Sequence, residues 1–155
     1  PEATEGYEGF SHLCAMQGEV ELATLEYIIR DHDRASFEAR KALFESAAAF
    51  LNAKYGAGTV EVALRDSYYN MREKIEPHMA IVEAAQQAMR DAGVTPRVVP
   101  IRGGTDGARL SYEGLPCPNL FTGGENYHGR FEYVPVEDME AAVRTLKCIL
   151  RNAAK

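Results

Sequence analysis

The chain reads as a mixed α/β (α+β) protein, laid out as β-β-α-β followed by α-β-α-β-α. Three patterns in the sequence predict this. A run of β-branched and apolar residues folds back around Gly18, and helical spacing from Phe37 to Leu51 gives way to strict alternation at Val60–Leu64. Two further amphipathic stretches, near 81–89 and 136–150, flank short apolar extended runs.

Tyr7 to Gln17 and Glu19 to Arg30 form an antiparallel strand pair turning near Gly18. Asp31 to Asp33 supplies N-cap chemistry for a helix in which Phe37, Phe44, Ala47, Ala48 and Leu51 recur at helical spacing up to Tyr55. Gly56-Ala57-Gly58 stops it. Val60, Val62 and Leu64 alternate with Glu61, Ala63 and Arg65, the pattern of a half-buried strand. This β-β-α-β order matches the C-terminal two-thirds of a ferredoxin-like unit and places a first domain at residues 1–68.

The second domain, residues 69–155, begins with a helix that has Pro77 at its start. Ile81, Val82, Ala85 and Met89 form its stripe, and Gly93 stands at C′. Arg97–Ile101 follows as a short strand, with Pro100 marking an edge or an irregular end. Thr105 to Tyr112 is a short helix and Asn119 to Thr122 a buried strand. The last helix starts near Pro135, carries Val136, Met139, Val143, Leu146 and Leu150 at 3/4 spacing, and has Arg151 and Lys155 near its end.

Composition excludes several classes. A formal net charge of −6, with no basic run longer than Arg40-Lys41, argues against nucleic acid or an anionic membrane as partner. The 3 cysteines, Cys14, Cys117 and Cys148, are odd in number and far apart, which fits a reducing, cytoplasmic setting better than a disulfide framework. No 18-residue apolar run and no signal-peptide pattern appear. The chain opens at Pro1 rather than at an initiator methionine and reads as part of a longer polypeptide.

The chemistry concentrates between Ile101 and Val134. Arg102 opens a Gly103-Gly104 turn, Thr105-Asp106 follows, and His128 stands among Gly123, Gly124 and Gly129, with Glu132 four residues on. Glycine this dense lets backbone approach a ligand or ion closely. His128 is a candidate metal ligand or acid/base that Glu132 could orient, or else the exposed histidine of a turn-rich connection. Arg30 and Arg102 each end an extended run. An arginine fork can hold a carboxylate bidentately, although Asp31 and Asp106 are ready structural partners. Thr105 is placed as an N-cap, while Asn126 and Tyr127 suit loop shaping. His12, His32 and His78 have no partner at metal-ligand spacing, and no serine lies in a G-x-S-x-G context.

RGGTDGA (102–108), GLPCPNLFTGG (114–124), NYHG (126–129), GYEGF (6–10) and DSYYNMREKI (66–75) together resemble the peptidase T group of tripeptide aminopeptidases. That group belongs to the dinuclear-zinc family that includes aminoacylases and glutamate carboxypeptidases. The resemblance runs over essentially the whole chain. It implies a partial ferredoxin-like lid followed by the C-terminal part of an α/β zinc-peptidase catalytic domain. His128 would be a ligand to one of two zinc ions, and Arg30 and Arg102 would grip the C-terminal carboxylate of a short peptide. The resemblance also implies a homodimer through the lid.

The other zinc ligands, the general-base glutamate and a lid histidine shared across the dimer are expected upstream of Pro1. No catalytic residue is therefore assigned here, and the 155 residues alone are expected to be inactive. In the complete enzyme the reaction would be attack of a metal-activated water on the first peptide bond. Two alternatives stand beside this reading. One is a dipeptidase or N-acyl amino acid hydrolase of the same family; the other is a non-catalytic dimerisation or binding module.

Overall fold

The computed structural model describes residues 3–154. They fall into two compact units: residues up to Asn70 together with Pro100–Gly104, and Met71–Val99 together with the residues from Thr105 onward. The predicted division at 68/69 left Pro100–Gly104 with the later residues; in the structure these five residues group with the first unit.

The first unit opens with β1 (Phe10–Gly18) and β2 (Ala23–Arg30), an antiparallel pair running from Phe10 opposite Arg30 to Gly18 opposite Ala23. The register slips between Leu13 and Ala15, so Cys14 is the extra residue of a bulge. The turn is closed by the Glu19 N–H donating to the Leu22 carbonyl at 2.8 Å. Helix α1 (Arg34–Tyr55) starts where Asp33 accepts from the Ser36 N–H at 2.8 Å and stops at Gly56, whose φ of 113° favours glycine. That capping bond holds the Asp33 carboxyl below its usual range. Tyr27 on β2 meets Phe44 on α1 edge to face, with ring centroids 5.0 Å apart.

The predicted strand at 60–66 is not one: among the described residues the sheet holds β1 and β2 only. Alternation specifies which side chains face which way, but a strand exists only where a neighbour supplies ladder hydrogen bonds. Here Asn52 substitutes for that neighbour at one residue. Its Oδ1 accepts from the Val60 N–H at 2.8 Å, and its Nδ2 donates to the Val60 carbonyl at 2.9 Å. Farther on, Asp66 accepts from Lys41 Nζ at 2.9 Å and from the Tyr69 hydroxyl at 2.8 Å, which fastens this segment to α1. Those bonds lower the Asp66 pKa and raise that of Lys41.

The second unit contains α2 (Arg72–Ile75), a single 3-10 turn with Pro77 (Glu76–His78), α3 (Met79–Asp91), α4 (Asp106–Tyr112) and α5 (Val136–Ala153). Gly93 takes φ 79° after α3, and the Val94 N–H reaches back to the Met89 carbonyl at 2.8 Å. The two predicted strands at 97–101 and 119–122 are again extended without a ladder, for the same reason. Lys155, expected near the end of α5, lies outside the described residues, as does Pro1.

Helices α3 and α5 pack on each other, and the face α5 buries is not its largest. Thr145 is 1% exposed and Ala88 on α3 fully buried, with Ala141, Ala142 and Cys148 half-buried beside Thr145. Val136, Met139, Val143, Leu146 and Leu150 are exposed, Leu150 by 71%. Ile149 is half-buried like Ala141, Ala142 and Cys148, so the covered residues of α5 are mostly small, while the larger apolar stripe is exposed. No helix among the described residues is long and apolar enough to cross a membrane.

Candidate functional site

Arg30 and Arg102 are brought together within the first unit. Arg30 closes β2, and its Nη1 donates to the Arg102 carbonyl at 2.9 Å. Arg102 in turn donates through Nη1 and Nη2 to the carbonyl and hydroxyl of Thr4, and through Nη2 to the Glu8 carbonyl at 3.4 Å. The Phe10 ring lies 5.5 Å from its guanidinium carbon, and its Nε is buried with no hydrogen-bond partner among the described residues. Neither arginine is salt-bridged to an acid among the described residues. Asp31, the obvious partner for Arg30, is taken by Arg40 at 2.8 Å. Among the described residues both guanidinium groups hold neutral acceptors only, so neither charge is neutralised there.

The glycines that follow Arg102, two in the turn and one inside α4, serve space rather than backbone freedom, since none of Gly103, Gly104 and Gly107 has positive φ. A Cβ on Gly103 would meet only Arg30 Nη1, at an ordinary 3.5 Å. One on Gly104 would overlap the Tyr68 hydroxyl. Tyr68 is a neighbour that sequence reasoning missed; the available signal was a second glycine where the turn needs none.

Thr105 caps α4 as expected, its hydroxyl accepting from the Ala108 N–H at 3.2 Å, and Asp106 occupies the first turn, where a negative charge suits the helix dipole. Ser111 ties α4 to the following segment: its hydroxyl donates to the Gly107 carbonyl at 2.7 Å and accepts from the Cys117 N–H at 3.0 Å. Asn119 Nδ2 donates to the Thr105 hydroxyl at 3.2 Å. A Cβ on Gly107 would stand 2.6 Å from the carbonyl oxygen of Cys117, the residue whose N–H is held by Ser111. Gly107→Ala gains helix propensity of about 1 kcal/mol but overpacks at a cost of about 1–3 kcal/mol. A lowered melting temperature is the expected result by calorimetry, whereas Gly103→Ala should melt within about 2 °C of the parent. Equal melting of the two variants would contradict this packing.

His128 is exposed on a loop closed by Glu125 and Tyr133, which exchange backbone hydrogen bonds of 2.9 and 3.2 Å. The left-handed residues here are Asn126 (φ 55°) and His128 (φ 61°), together with Gly123 (φ 77°); Gly124 and Gly129 are not among them. Glu132 does not orient the imidazole. Its carboxylate accepts from the backbone N–H of His128 at 3.0 Å, which fixes the loop and leaves both ring nitrogens without a partner among the described residues. Tyr127 packs on Gly124 and shares a 2.8 Å hydrogen bond with Thr122, consistent with a loop-shaping role. Among the described residues no three His, Cys, Asp or Glu side chains gather to hold a metal ion. An outward imidazole on a braced loop fits a single ligand, not a closed set.

Residues 5–152 match the model of peptidase family M20/M25/M40. Over all 155 residues the chain is 57% identical to the Peptidase T of Exiguobacterium sibiricum, 60% to that of Shouchella clausii and 59% to that of Caldanaerobacter subterraneus subsp. tengcongensis. In each case it spans 38% of the relative's length.

Proposed function

From a chain that belongs to peptidase family M20/M25/M40, we propose the C-terminal portion of a zinc-dependent tripeptide aminopeptidase. The observation that carries this reading is the Arg30–Arg102 pair, linked by a 2.9 Å hydrogen bond and free of any acidic partner among the described residues. A peptide's terminal carboxylate is the anion that such a pair is built to hold. Its charge-assisted bonds outcompete the neutral acceptors of Thr4 and Glu8. Gripping the far carboxylate while cutting at the first peptide bond measures the distance between them, which selects peptide length.

In this reading residues 1–68 belong to a lid through which the protein dimerises, and 69–155 to the catalytic domain of a cytoplasmic enzyme. His128 supplies one zinc ligand, and residues outside these 155 complete the set. Zinc, when bound, supplies Lewis acidity and lowers the pKa of a coordinated water. This chain's residues hold and orient the peptide. The high identity to proteins named Peptidase T supports the substrate class over the dipeptidase and N-acyl amino acid alternatives.

The test is a comparison of kcat/KM for the intact polypeptide on matched di-, tri- and N-acylated substrates. Tripeptides should be preferred by at least about 10-fold, the worth of one well-placed charged hydrogen bond. A higher kcat/KM on dipeptides or acylated amino acids would move the protein to the alternative substrates. No hydrolysis by the zinc-loaded protein would favour a binding module.

A further inference from the structure

The Gly103-Gly104 turn has two polar side chains set against its bare backbone, and only Arg30 has so far been given a role. Tyr68 is the other. Its hydroxyl occupies the space that a side chain on Gly104 would need, while Arg30 Nη1 stands 3.5 Å from the corresponding position on Gly103. Consecutive Cα atoms are about 3.8 Å apart, so the hydroxyl and the guanidinium flank neighbouring residues of one short segment. Gly104 is not required by its dihedrals, which lie outside the positive-φ region. Glycine there admits the phenol. The hydroxyl also has no hydrogen-bond partner among the described residues, and Tyr68 as a residue is 38% exposed. Its neighbour Tyr69, by contrast, spends its hydroxyl on Asp66 at 2.8 Å. One tyrosine of the pair braces the fold, and the other sets its O–H against the same two-residue turn as the Arg30 guanidinium.

We propose that the Tyr68 hydroxyl is a third donor to the peptide carboxylate held by Arg30 and Arg102. The proposal rests on the carboxylate reading above and adds a specificity-determining residue to it. A carboxylate offers about four lone-pair sites, and a neutral O–H can fill one of them without adding charge. Gly104 then belongs to the site indirectly, as the residue whose missing side chain lets the hydroxyl reach it.

Tyr68→Phe removes the hydroxyl and keeps the ring, so it is the decisive variant in the intact, zinc-loaded enzyme. For a tripeptide with a free carboxylate, KM should rise on the order of 10-fold with kcat within about 2-fold of wild type. For the same tripeptide amidated at its C terminus, the rise in KM should be clearly smaller, because a neutral amide oxygen is the weaker acceptor. Gly104→Ala, which displaces the phenol, should reproduce the acid-selective loss. Equal effects of Tyr68→Phe on acid and amide, or no effect on either, overturn the proposal. Parallel assays of Arg30→Ala and Arg102→Ala show which reading failed. If those variants remain acid-selective, only the role of Tyr68 falls; if they do not, the carboxylate reading falls with it.

Discussion

Replacing His128 with alanine in the intact polypeptide is expected to strip zinc and abolish most turnover. The loop around it is built to fix the backbone and leave the ring free: Glu132 holds the His128 N–H at 3.0 Å, and Gly129 closes on the Asn126 carbonyl at 2.8 Å. A non-glycine residue at φ 61° is uncommon, and here the surrounding hydrogen bonds maintain it. Removing the imidazole leaves the coordination set open by one ligand. The several kcal/mol of charge stabilisation that a metal provides correspond to a loss of roughly 10³-fold or more. Metal analysis of the purified variant beside a tripeptidase assay checks both parts. Glu132→Gln is the control, because an amide oxygen can still accept from the His128 N–H; it should keep its zinc. Near wild-type zinc and activity in His128→Ala would remove this residue from the metal site.

The elements that were legible in the sequence are those whose determinants are local. Asp33, Gly56, Gly93 and Thr105 each terminate or cap a helix through atoms only a few residues away, and each does so in the structure. The extended runs at 60–66, 97–101 and 119–122 were misread as strands because a ladder depends on a partner that no local pattern encodes. The side on which α5 packs was obscured for a related reason. Periodicity located its large apolar stripe, yet that stripe is exposed and burial on α5 centres on Thr145.

The candidate site shows the same division. Arg30, Arg102 and His128 could be named from residue type and resemblance. The bond joining the two arginines spans 72 positions, and nothing local announces it. Of the glycines around His128, Gly123 takes a positive φ while Gly124 and Gly129 do not, and Asn126 and His128 themselves take the left-handed conformation. Gly104 carried a legible signal of a different kind. It marks a close approach, and only the fold identifies the approaching group as Tyr68.

Truncating Arg30 or Arg102 to alanine is expected to weaken substrate binding while leaving zinc content intact. Each substitution removes a charge-assisted hydrogen bond to the peptide carboxylate, worth about 1.5–3 kcal/mol, so kcat/KM should fall about 10- to 100-fold. The two variants differ in what else they disturb. Arg30→Ala also frees the Arg102 carbonyl, which now accepts from Arg30 Nη1 at 2.9 Å, and so loosens the backbone beneath the second guanidinium. Arg102→Ala releases its contacts to Thr4, Glu8 and the Phe10 ring. Because Arg30 braces the Arg102 backbone and both would hold one carboxylate, their penalties should not add: the double variant should lose less than the product of the two single losses. A tripeptide amide separates binding from architecture. It has already lost the ionic contact, so the substitutions should cost it little, whereas a purely structural role would penalise acid and amide alike. Arg30→Lys refines the test by keeping the charge while removing the planar fork, and it should recover only part of the loss if bidentate geometry matters. Full recovery with lysine would reduce the role of Arg30 to a point charge, and equal penalties on acid and amide would withdraw the carboxylate assignment from both arginines.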